Sequence, residues 1–102
     1  METIKLKKQA RIAGEETTEL VLDFEALTGC DAIDAHKEFN LRNQSFVGVA
    51  AMEPEYQAIL AGKALGCSLV DLINLPLNDF NTVVGAVARF LFEADLVNQT
   101  KS

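Results

Sequence analysis

Apolar and polar residues change rhythm along this chain, and each change marks a change of structure. Near the start the period is two. Ile4 and Leu6 alternate with Lys5 and Lys7, and Leu20, Leu22 and Phe24 share one face of a second segment. Each reads as a strand with one buried side. Between them Ala13-Gly14-Glu15-Glu16 supplies a turn, with Gly14 free to take positive φ. The expectation is an antiparallel hairpin over residues 1–25. A lone hairpin is marginal in water, so its apolar face has to rest on the helical remainder of the chain.

The period lengthens at Leu27-Thr28-Gly29-Cys30-Asp31. Thr28 suits a helix cap, and Asp31 sets negative charge among the exposed N–H groups. A short helix over 28–39 comes next, with a weak stripe of Ala32, Ala35 and Phe39 and with His36 as a partly buried packing residue. Residues 40–53 show no clear period. Asn40, Asn43, Gln44 and Ser45 read as loop, and Ser45 to Val49 as extended chain weakened by Gly48.

From Pro54 the helical period is strong. Pro54 fits a first helical turn and Gly66 the position just past the end. Tyr56, Ile59, Leu60, Lys63 and Ala64 recur at helical spacing, while Ala58, Ala61 and Gly62 thin another side for a neighbouring helix. Ser68-Leu69-Val70-Asp71 is a capping-box variant opening a short helix with Leu69, Leu72 and Ile73, which stops before Pro76. Asn78-Asp79 reads as the next cap. Phe80, Val83, Val84, Val87, Phe90 and Leu91 then make one amphipathic face. Residues 54–94 form the helical half, and 95–102 a polar, frayed tail. The predicted fold class is α+β, mainly α: an N-terminal β-hairpin followed by a bundle of about four short helices, in a single domain.

Composition narrows the role. A chain of 102 residues hides only about 60–65% of its extended surface on folding, so apolar surface remains for a partner. Net charge of −6 argues against nucleic acid, whose phosphates call for Lys and Arg. Lys5, Lys7, Lys8 and Arg11 nevertheless gather at the start, ahead of the acidic Glu19, Asp23, Glu25, Asp31, Asp34 and Glu38. That basic edge beside an acidic face either orients a partner or is ordinary solvated surface. No apolar run approaches the roughly 20 residues of a membrane span, and no apolar segment follows Met1, so a cytosolic protein without a membrane role is expected.

Reactive chemistry is sparse. Cys30 and Cys67 stand far apart beside a single histidine; two cysteines allow one disulfide, and in a reducing cytosol both read more simply as small buried hydrophobes. A metal site needs three or four clustered ligands. Phosphate-binding, dinucleotide, zinc-protease and serine-hydrolase motifs are absent from the sequence. Asp31 and Asp34 share a helix face, but nothing completes an acid–base pair. No catalytic residue, metal or cofactor is assigned, and the expectation is a non-enzyme. Gly66-Cys67-Ser68-Leu69 resembles the modification site of acyl carrier proteins, with Cys67 where that family has aspartate. The alternative reading of Ser68 is a plain N-cap.

Taken in order, the segments resemble the small phage and prophage tail assembly chaperones. The resemblance lies in Ile4-Lys5-Leu6-Lys7-Lys8, Thr18 to Phe24, and Leu27-Thr28-Gly29-Cys30-Asp31. It continues through the helix Tyr56-Gln57-Ala58-Ile59-Leu60-Ala61-Gly62-Lys63-Ala64-Leu65-Gly66, and through Leu75-Pro76-Leu77-Asn78-Asp79-Phe80 leading to Val87, Phe90 and Leu91. Gln9 stands where relatives have proline, and Gly62 where the helix often has alanine. The resemblance implies a host-cytoplasmic assembly factor that binds the tape measure protein, a long helical chain, and keeps it soluble until tail tube subunits polymerise round it. Longer frameshifted forms also recruit the tube protein. A homo-oligomer is permitted, and a minor tail structural or tail-completion protein is the other reading. A groove for the client is expected at Tyr56, Ile59, Leu60, Phe80, Val84 and Phe90, which serve equally well as core.

Overall fold

The computed structural model describes residues 2–44 and 48–101, with side chains as far as residue 92. Strands β1 (Glu2–Ile12) and β2 (Glu15–Leu22) form an antiparallel hairpin through Ala13 and Gly14. Both turn residues have positive φ, 54° and 83°, and such turns twist in step with their strands. For Ala13 this left-handed conformation costs about 1–2 kcal/mol. Pairing runs from Glu2↔Leu22 to Lys5↔Glu19 and resumes at Ala10↔Thr17. Leu6 to Gln9 therefore bulge opposite Thr18. Ile4, Leu6, Leu20 and Leu22 are buried, as the alternation predicts, and so is Ile12.

A single helical turn at Phe24–Ala26 leads into α1 (Gly29–Arg42), and another at Ala50–Met52 leads into α2 (Pro54–Leu65). Then come α3 (Leu69–Ile73) and α4 (Leu77–Lys101). Hairpin followed by four helices is the predicted class, but the helices are not uniformly short. The helix α1 passes Phe39 to reach Arg42, a cation in its last turn that suits the negative helix end. The helix α4 extends to Lys101, through the stretch expected to fray. Its sequence after Gly85 has no Gly or Pro, and Leu96, Gln99 and Lys101 are good helix formers. The expected extended segment at Ser45 to Val49 falls mostly outside the described residues.

The helix α2 is central: it touches α1, α3, α4 and β2. Every residue from Tyr56 to Gly62 is buried, so both sides distinguished by sequence are covered. A helix that is apolar all round belongs in a core. Val83, Ala86 and Val87 of α4, Leu72 of α3 and Leu22 of β2 are fully buried in the same cluster. Gly66 closes α2 in the left-handed region at φ 76°, and the Cys67 N–H donates to the Gly62 carbonyl at 2.9 Å.

Candidate functional site

Two helix starts hold the irregular parts of the hairpin. Asp79, in the first turn of α4 and only 2% exposed, accepts the Lys7 N–H through both carboxylate oxygens, at 3.0 and 3.2 Å. Asp71, in the first turn of α3, accepts the Ala13 N–H at 3.1 Å. One N–H lies in the bulge and the other in the turn, where the ladder supplies no regular partner. These contacts correct the sequence reading of both aspartates. Ser68 makes no side-chain cap hydrogen bond, so Asp71 does not complete a capping box. The helix α4 starts at Leu77, with the Phe80 N–H bonded to the Pro76 carbonyl at 2.9 Å, which puts Asn78-Asp79 inside the helix and not at its cap. A further tie is the Arg89–Glu2 ion pair at 2.6 Å.

Between the bulge and the α3–α4 corner opens a cleft of about 280 Å³, lined by Gln9 to Arg11 on one side and by Asp71, Asn74, Leu75 and Pro76 on the other. That is the small end of the roughly 300–1,000 Å³ range of small-molecule sites. Asp71 is committed to Ala13, and Arg11 lies 4.0 Å from Glu16. The corner also carries Val70, Ile73 and Leu77, exposed by 57, 49 and 72%. Lys5 and Arg11 face Glu19 and Glu16 in register. Lys7 and Lys8, exposed in the bulge, have no ion-pair partner among the described residues.

The expected client groove is not open at most of its residues. Tyr56, Ile59, Leu60 and Val84 belong to the core, and Phe80 packs against it. Phe90 is exposed at the edge and stacks on Phe24, with ring centroids 4.7 Å apart. Tyr56 meets the rings of His36 and Phe39, and its burial raises the phenol pKa. The hairpin packs on the helices, with β1 against α4 and β2 against α2. Helical spacing marks a face to be covered without saying by what.

The remaining candidates stay apart. Asp31 accepts the Thr28 N–H at 2.8 Å, while Asp34 is exposed. His36 is exposed and rests on Tyr56. Ser68 is exposed at the start of the five-residue α3. Sequence reasoning missed the α1–α2 junction. There Glu55 accepts from Arg42 and Asn43 at 3.1 and 2.8 Å, and the buried Gln57 amide donates to the Ala51 carbonyl at 2.9 Å. Polar residues in these positions carry no periodic signal.

Both cysteines are free, but Cys30 is exposed, contrary to expectation, because it faces outward from the first turn of α1. Cys67 is half-buried, and burial with the nearby Asp71 charge pushes its thiol up from 9.0 to about 11. Iodoacetamide at neutral to mildly alkaline pH is expected to modify Cys30 first and Cys67 roughly tenfold more slowly or worse, read by intact mass. Equal rates would contradict the burial of Cys67. The unfolded chain ionises this thiol first, so its contribution to stability is lost as pH rises from 9.0 toward about 11.

Among the described residues no group of three or more His, Cys, Asp or Glu is placed to hold a metal ion, and no helix is long and apolar enough to cross a membrane. No family model, curated protein or solved structure matches the chain.

Proposed function

We propose that the chain is a non-enzymatic chaperone of phage tail assembly, which binds the tape measure protein in the host cytoplasm and keeps it soluble. The observation that supports this reading is the apolar surface left outside the core. Val70, Ile73 and Leu77 stand out at the α3–α4 corner, and Leu41, Val49 and Met52 around the α1–α2 connection, each between 49 and 75% exposed. Exposed apolar side chains grouped in this way suit a helical client, which would otherwise aggregate through its own apolar stripe. The net charge of −6 keeps the resulting complex dispersed. Competition by tail tube subunits then releases the client without nucleotide chemistry.

The test is to produce the tape measure protein of the same phage with and without this chain. A several-fold larger soluble fraction in its presence is expected, and an unchanged fraction overturns the proposal. A chaperone is also absent from finished particles. Stoichiometric retention there would favour a tail structural protein instead.

A further inference from the structure

We propose that Asp71 and Asp79 form a register latch, which holds the hairpin in one of two strand registers that its sequence allows. The latch is independent of the client's identity. It shows in a mismatch between the two ends of the ladder. At the open end Ile4 faces Leu20 and Lys5 faces Glu19, whereas at the tip Ala10 faces Thr17 and Ile12 faces Glu15. Four residues of β1, Leu6 to Gln9, stand opposite Thr18 alone, a surplus of three. Moving that surplus from the bulge into the turn continues the open-end register without a break. Leu6, Lys7, Lys8 and Gln9 then face Thr18, Thr17, Glu16 and Glu15, and Ala10 to Gly14 become a five-residue loop, a length hairpins commonly use.

The apolar pattern fixes only the open end. Ile4, Leu6, Leu20 and Leu22 are buried there, and both registers share that stretch. From Lys7 to Gln9 and from Glu15 to Glu19 every residue but Thr17 is exposed, and strands polar on both faces specify register weakly. The shifted register exchanges the Arg11–Glu16 pair for Lys8–Glu16 and relieves Ala13 of its φ of 54°. The observed register buries Ile12 and gains two carboxylate contacts, Asp79 on the Lys7 N–H and Asp71 on the Ala13 N–H. One contact grips the bulge and the other the tight turn, the two features that only this register has. The shift withdraws Ile12 from the core and so changes the apolar surface under the hairpin tip. A partner that binds one register better than the other moves the balance by that difference.

The experiment traps each register as a disulfide in the full chain carrying Cys30→Ser and Cys67→Ser. Facing residues of an antiparallel pair lie about 4.5–5.5 Å apart at Cα, within disulfide reach. Arg11→Cys with Glu16→Cys reports the observed register, and Lys8→Cys with Glu16→Cys the shifted one, each read by intact mass in a glutathione redox buffer. With both aspartates present the first pair is expected to close and the second to stay reduced. Asp71→Ala with Asp79→Ala should raise closure of the second pair relative to the first by on the order of tenfold, the equivalent of one hydrogen bond to a charged acceptor. Adding Ala13→Asn, the favoured residue for this turn, should reverse the shift. An unchanged ratio in the aspartate variant, or a shift that Ala13→Asn does not reverse, overturns the latch. If the aspartate variant loses its circular dichroism spectrum, Gly14→Val decides with both aspartates intact. The φ of 83° at Gly14 is costly for valine, so the second pair should close more readily, and no change there overturns the proposal.

Discussion

Replacing Asp79 with alanine is expected to lower the stability of the fold by about 2–3 kcal/mol, the range for a hydrogen bond to a charged acceptor whose donor is then left unsatisfied. The carboxylate is 2% exposed and is the only partner described for the Lys7 N–H in the bulge. Removing it leaves a strand N–H facing a buried void and releases the bulge from α4. Asp79→Asn keeps one acceptor oxygen and should recover part of the loss. Asp71→Ala, whose contact with Ala13 is exposed, should lose only about 0.5–1 kcal/mol. Urea unfolding reads all three as shifts in midpoint at constant slope. A shift for Asp79→Ala no larger than that for Asp71→Ala would mean that the bulge does not depend on this anchor.

Gly62→Ala should destabilise by about 1–3 kcal/mol, the usual penalty for overpacking. By helix propensity alone alanine should gain about 1 kcal/mol at an interior position. Sterics oppose it here, because a Cβ on Gly62 would lie 2.8 Å from the Cys67 carbonyl oxygen, a backbone atom held by the turn at Gly66. Gly85 in α4 is the control. The nearest atom to its Cβ would be a terminal nitrogen of Arg89 at 4.0 Å, so Gly85→Ala should stabilise by about 0.5–1 kcal/mol. If both variants shift the thermal midpoint upward, the close approach at Gly62 is wrong.

These two sites also show which parts of the structure were legible in the sequence. The hairpin was, because Ile4, Leu6, Leu20 and Leu22 alternate with residues that water can solvate, and burial followed that pattern. The limits of α2 were, because Pro54 and Gly66 have backbone needs that only a helix start and a left-handed end satisfy. The anchors were not. Asp71 and Asp79 look like ordinary first-turn acids, and the hairpin groups they bind are 58 and 72 residues away. The bulge left a weak trace in Lys7-Lys8-Gln9, where the alternation breaks.

Gly62 was read as room for a neighbouring helix, whereas its close neighbour is the carbonyl of its own following turn. The candidate groove was least legible of all. Tyr56, Ile59, Leu60 and Val84 satisfy one period whether the fold itself or a partner covers them, and here they lie in the core, Tyr56 against the rings of His36 and Phe39. The exposed apolar surface lies instead at residues whose exposure breaks the local pattern, such as Ile73 and Leu77.

The most direct test of the proposed chaperone role is sedimentation velocity of the purified chain mixed with a soluble helical fragment of a phage tape measure protein. A complex of fixed stoichiometry is the predicted result. Two species that sediment independently across the whole range of mixing ratios would contradict it.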